Sequence, residues 1–320
     1  SAGDVPLGTQ GNLFGITGGE GTGKSNYVAA IVAGCICPAG ADIDTLGIQI
    51  TANGRHKAVL LYDTEQSEVQ LFKNVSNLLA RAKQPDKPDE LKAFCLTGMS
   101  RKERLNAIVQ SMDKFYYQYG GIQLVVIDGI ADLVKSANDE AESVAVIDEL
   151  YRLAGIYNTC ILCVLHFVPN GLKLRGHLGS ELQRKAATIL SIEKDEEPAQ
   201  SVVKALKVRD GSPLDVPLML FAWDKEAGMH VYKGEKPREE KEKRKERELV
   251  NVARDIFGRQ TRITYIDLCE QLQQVLDIKE RTAKSYIRFM RERNIITKDT
   301  ANQSCFVIGS YNLRWNTSCP

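Results

Sequence analysis

Gly18-Gly19-Glu20-Gly21-Thr22-Gly23-Lys24-Ser25 is the stretch on which the reading of this chain turns. It satisfies G-x-x-x-x-G-K-[ST] in full. Glycines let the backbone wrap with its N–H groups pointing inward, and a helix starting at the end of the loop adds partial positive charge. Such a loop holds phosphate. In this pattern Lys24 reaches the β- and γ-phosphates and the Ser25 hydroxyl ligates Mg²⁺. Gly18, Gly19, Glu20, Gly21, Thr22, Gly23 and Asn26 complete the cradle. The context agrees, because residues 12–17 predict a strand before the loop and residues 24–34 a helix after it.

Working outward, strand-like and helix-like stretches alternate. Residues 105–119 predict a helix, 123–127 a buried strand, 142–157 a helix, and 160–165 another buried strand. Strands apolar on both faces, separated by helices, imply a mainly parallel sheet covered on both sides. Residues 202–208 and 218–223 predict an antiparallel extension. Residues 48–51 and 58–62 flank Asn53-Gly54, a strong hairpin signal. The fold class is α/β.

Phosphoryl chemistry also needs an acid near the metal and a group that activates water. The apolar strand 123–127 ends in Asp128, about 100 residues after the loop, which suits a carboxylate holding Mg²⁺ through water. Leu60-Leu61-Tyr62-Asp63-Thr64-Glu65 places Glu65 just past another strand. With these elements the chain resembles the RecA-like ATPases, among them the RepA- and DnaB-type hexameric helicases. The resemblance implies that Glu65 is the catalytic base, and Gly129-Ile130 leaves no acid beside Asp128 to compete. It implies that His166, ending the 160–165 strand, senses the γ-phosphate. Lys207 and Arg209 resemble the K-x-R finger that reaches a neighbouring subunit's nucleotide, which implies a ring, such as a homo-hexamer, or a filament. The loop expected over 167–185, with Lys173, Arg175 and Arg184, would by the same resemblance touch nucleic-acid backbone. Cys160 and Cys163 form a C-x-x-C only in sequence, because residues three apart on a strand face opposite ways, so no zinc site is expected.

The whole chain has 320 residues, 43% apolar and 26% charged, the balance of an ordinary globular protein. No apolar run approaches the roughly 18 residues of a membrane span, and Ser1-Ala2-Gly3-Asp4 does not read as a secretion signal. The absent initial Met reads as a trimmed or partial chain. Eight cysteines without framework spacing predict reduced thiols and a cytoplasmic setting. The net charge of +1 conceals an asymmetry, since residues 1–234 carry 24 Lys/Arg against 28 Asp/Glu while residues 249–320 carry 11 against 7. A basic segment on a mildly acidic body points to an anionic partner.

Three parts are expected: a RecA-like ATPase domain over 1–233, a charged linker over 234–248, and a small domain over 249–320. The last reads as helix 249–257, short strand 263–264, helix 265–276, helix 279–293, and strands 295–298 and 305–308. That order resembles a winged helix. Ala283, Ile287 and Met290 would pack inward, leaving Arg281, Lys284, Ser285, Arg288 and Arg291 to meet DNA, single- or double-stranded. The expectation is a DNA-associated, ATP- and Mg²⁺-dependent motor of the RepA type, serving replication or mobilisation of a plasmid or mobile element. The alternative is an ATP-regulated DNA-binding accessory protein that separates no strands.

Overall fold

The apolar runs around the phosphate loop become strands because both of their faces find cover. A computed structural model describes residues 1–166, 176–195, 199–237, 241–258, 260–300 and 302–310, and of 241–245 the backbone alone. The chain divides into two units, Ser1–Lys236 and Pro237–Pro320. In the first, β1 (Leu13–Gly18), β2 (Ala58–Asp63), β3 (Leu91–Cys95), β4 (Ile122–Asp128), β5 (Cys160–His166) and β6 (Thr188–Lys194) run parallel. β7 (Gln200–Val208), β8 (Leu218–Asp224) and β9 (Met229–Lys236) follow antiparallel. The order across the sheet is β3-β2-β4-β5-β1-β6-β7-β8-β9. This is an α/β fold with a large, mainly parallel sheet, as a P-loop NTPase core requires.

Alternation along the central strands builds two cores. Leu124 and Val126 of β4 face one core, with α1 (Lys24–Ile36) and α2 (Glu68–Arg81). Val125 and Ile127 face the other, with α3 (Arg101–Tyr119), α4 (Glu140–Ile156) and α5 (Gly176–Lys185). Fully burying each such side chain contributes about 1.5–3 kcal/mol. Cys160 and Cys163 of β5 fall into different cores, so strand geometry parts them. Both are free thiols. The helices start where side-chain oxygens accept their free N–H groups: Ser67 for α2, Ser100 with Glu103 for α3, and Asp139 for α4.

Several sequence expectations are corrected. Residues 48–51 do not pair as a hairpin with β2; β2 finds its partners in the distant β3 and β4. Asn53 does turn the chain, but by closing on itself, its side chain exchanging hydrogen bonds with the Lys57 backbone. Ile48 and Ile50 then pack against the α1 core. Residues 176–185 are helix rather than loop, because Leu178 and Leu182, four apart, are both buried. Residues 167–175 lie outside the described residues. The charged linker is also redrawn. Glu235 and Lys236 belong to β9, where Lys236 meets Asp195 at 2.6 Å, and a helix begins at Lys241.

The second unit consists of α6 (Lys241–Phe257), β10 (Ile263–Thr264), α7 (Tyr265–Leu276), α8 (Glu280–Glu292), β11 (Ile296–Lys298) and β12 (Cys305–Ile308). Its three strands form an antiparallel sheet in the order β10-β12-β11. Ala283, Ile287 and Met290 of α8 are buried with Leu268, Leu272 and Phe306. Among the described residues no helix is long and apolar enough to cross a membrane.

Candidate active site

Parallel strands end together, and here their carboxyl ends bring the polar residues to one edge of the sheet. Gly18 of β1 lies beside His166 of β5 in the parallel register, and Asp63 of β2 beside Asp128 of β4. The loop from Gly18 to Gly23 then turns into α1. Gly21 and Gly23 have φ of +66° and +95°, where other residues are strained. Packing tightens the requirement. A Cβ on Gly18 would lie 2.3 Å from the Ile192 carbonyl oxygen, and one on Gly23 would lie 2.8 Å from the Phe221 ring.

Lys24 is buried, and its Nζ donates to the carbonyls of Gly18 and Gly19 at 3.0 and 2.7 Å. Burial draws its ammonium below the usual range, while Asp128, Glu65 and Glu20 oppose that shift. Glu65 Oε2 lies 3.4 Å from His166 Nε2. Thr64 ties the two strand ends together: its N–H donates to the Asp128 carbonyl, and its hydroxyl contacts the Gly129 backbone. Asp63 accepts the N–H groups of Glu65 and Gln66 on one oxygen, so it shapes the turn that carries Glu65. Together Glu20, Lys24, Ser25, Asn26, Glu65, Asp128 and His166 line a cleft of ≈ 340 Å³.

A family model described as an AAA domain matches residues 5–170, just over half of the chain and all of this cleft's loop and strand ends. The chain belongs to the AAA-domain family. Among curated proteins no significant match was found. Membership makes the first unit a nucleotide-binding domain of the ATPase class, and the glycine cradle, the buried lysine and the paired acids agree with that.

The AAA domain thus brings together Glu65, Lys24, His166, Ser25, Asn26 and Asp128. It does not bring Lys207 and Arg209 there. Lys207 Nζ donates to the carbonyls of Gln183 and Arg184, and Arg209 to the Lys185 carbonyl and Asn12 Oδ1. Both cations therefore sit on the carboxyl end of α5, where the helix dipole favours positive charge. Of the residues expected to meet DNA, Lys173 and Arg175 lie outside the described residues. Arg184 pairs with Glu181 at 2.6 Å. In the second unit Arg281 and Ser285 are exposed on α8. Lys284 pairs with Glu280 and Arg288 with Glu292, while Arg291 lies over the Phe306 ring at 5.9 Å.

Asp63, Gln66 and His230 join the AAA site without having been singled out in the sequence. Asp63 carried a usable signal, because it ends an apolar strand as Asp128 does. His230 carried none, since a hairpin far along the chain delivers it.

The donor set suits a hard cation. A hydroxyl at Ser25 and a carboxylate at Asp128 offer the oxygen ligands that Mg²⁺ takes, few in number beside phosphate oxygens. Among the described residues no group of three or more His, Cys, Asp or Glu could hold a metal by itself. Burial, then the charges of Asp63 and Glu65, push the Asp128 carboxyl up to about 7, against the pull of Lys24 and His166. An acid raised in this way stabilises the fold fully below its ordinary value of 3.8, and that contribution is lost as pH rises through about 7. Asp128→Asn is therefore expected to melt higher than the native AAA domain at pH 8 without nucleotide or Mg²⁺. The gap, on the order of 4 kcal/mol, should close toward pH 4. Thermal melts across that range check it, and a constant offset would contradict the assignment.

Proposed function

We propose that this protein is a Mg²⁺-dependent, DNA-associated ATPase of the RepA-like helicase type, working as an assembly of several copies in replication or mobilisation of DNA. The reading rests above all on Glu65. Its carboxylate shares a cleft with Lys24 and Asp128 and lies against His166, the residue that ends the strand next to the phosphate loop. Glu65 is suited to take a proton from the attacking water, and His166 to register whether the terminal phosphate is present. Lys24 and the loop N–H groups balance charge on the phosphates. Mg²⁺ held by Ser25 and, through water, by Asp128 would add the positive charge that phosphoryl transfer needs.

A RecA-like core agrees with the position of Glu65 after β2, and a winged helix with the second unit. There α8 buries Ala283, Ile287 and Met290 and leaves Arg281, Lys284, Ser285, Arg288 and Arg291 outward or at its edge. Arg288 and Arg291 also border an open hollow with Thr297 and Lys298 of β11. A duplex contacted at four phosphates should give a log–log salt slope of about −3.6. Arg288→Glu and Arg291→Glu should each flatten that slope by about 1 or more, and a slope unmoved in both variants would remove α8 from the interface.

The deciding measurement is ATP hydrolysis with and without single- and double-stranded DNA, over a range of protein concentration. Stimulation by DNA and a cooperative rise with concentration are expected; turnover indifferent to both would overturn the assembled, DNA-coupled reading. The hold of α5 on Lys207 and Arg209 favours keeping the second reading in view, a DNA-binding accessory that ATP regulates. ATP-dependent strand displacement separates the two, since the accessory would bind DNA without unwinding it.

A further inference from the structure

The hairpin of β8 and β9 is far from the phosphate loop in sequence, yet it brings His230 to the lining of the cleft. Trp223 and His230 are direct cross-strand partners, with ring centroids 5.5 Å apart and planes at 76°. Phe221, on the same face of β8, meets His230 nearly edge-on at 5.7 Å. Phe221 is wholly buried and packs where a side chain at Gly23 would have to go. The aromatic row is thus anchored on the phosphate loop and extends from it.

Two observations ask what the row is for. His230 lines the cleft along with Glu20, Gly21 and Asn26, yet its Nδ1 is buried with no hydrogen-bond partner among the described residues. Internal hydrogen bonding at that nitrogen therefore does not explain why an imidazole stands there. Trp223 is 55% exposed, although indole is the largest apolar group a chain can bury. Exposed aromatic surface against His230, a residue that lines the phosphate cleft, is what a flat heterocycle needs for stacking. Burial, with Lys194 and Arg81 nearby, holds the imidazole below its usual range. A neutral ring suits a base or a sugar hydroxyl better than it suits a phosphate.

We propose that Trp223 and His230 form the wall that receives the base and sugar of the nucleotide, while Lys24 and the glycine loop hold its phosphates. A broad aromatic surface favours a purine over a pyrimidine, because stacking grows with overlap. This deepens the ATPase reading and rests on it.

Calorimetric titration of the full chain with MgATP, and separately with magnesium tripolyphosphate, tests the wall. Tripolyphosphate offers the phosphates without base or sugar. Trp223→Ala and His230→Ala should each weaken ATP binding about tenfold and leave tripolyphosphate binding unchanged. Trp223→Phe should keep most of the ATP affinity. Trp223 is exposed enough that its replacement does not threaten the fold, so at least one variant remains informative. Equal weakening of both ligands would reduce the hairpin to a prop for the loop, and no weakening of either would remove it from the site; each result overturns the wall. A native chain that binds both ligands equally well overturns the wall but leaves the phosphate site standing. A native chain that binds neither ligand overturns the ATPase reading itself.

Discussion

Glu65→Gln is expected to lower steady-state ATP turnover about 10²- to 10⁴-fold while leaving ATP affinity within a few fold. The substitution keeps the shape of the side chain and removes only its ability to take a proton. Binding should survive because the phosphates are held elsewhere, by Lys24 and by the loop whose glycines adopt positive φ. The contrast with Lys24→Ala is part of the prediction. Loss of the lysine should weaken both affinity and turnover, since its ammonium meets the phosphates before and during reaction. Single-turnover hydrolysis beside equilibrium binding separates the two cases. A Glu65→Gln chain that hydrolyses ATP at the native rate would move the base to another residue. One that fails to bind would make Glu65 a structural group, tied to its position by Asp63 and His166.

Lys207→Ala and Arg209→Ala should each lower turnover by about 10³-fold if they act across a subunit boundary. In the isolated chain both residues have other work, because they hold the last carbonyls of α5. Burial, then the neighbouring Arg209 charge, lowers the Lys207 ammonium below its usual range, although the residue is only half-buried. Losing a cation from a helix end costs about 0.3–1 kcal/mol, which would lower the melting temperature but leave turnover intact at moderate temperature. The two roles therefore predict different measurements. Complementation is more decisive still. A chain with Glu65→Gln keeps its cations, and a chain with Arg209→Ala keeps its base. Mixing them should restore part of the activity that each lacks alone. No recovery across a range of mixing ratios would confine Arg209 to fastening α5, and the same mixture with Lys207→Ala decides for Lys207.

Much of the site's frame was legible because it is local in sequence. The phosphate loop occupies eight consecutive residues, and Asp128 and His166 each end an apolar strand whose pattern is plain. The helices α3 and α4 extend their predicted spans by only a few residues, where Ser100 and Asp139 cap them. What escaped is non-local or weakly patterned. β3 is mostly half-buried, and β9 alternates with charged residues at the sheet's far edge, so neither shows the apolar run that marks β4. Asn53-Gly54 gave a true turn but a false hairpin, because a turn says nothing about which strand lies alongside. Gly176 and Gly179 disguised α5 as loop, although Leu178 and Leu182 already carried helical spacing. His230 enters the cleft only after three antiparallel strands have folded beside β6, which no local motif records.

Phe221 under Gly23 and Ile192 beside Gly18 have a consequence for where this protein can be cut. The stretch that carries the family likeness ends at residue 170, whereas the supports of its loop lie beyond it, on β6 and β8. Kinship and self-sufficiency thus have different borders here. A fragment trimmed to the shared ancestry would retain the reactive groups from Lys24 to His166. It would also leave one edge of β1 open and its glycine loop unbraced.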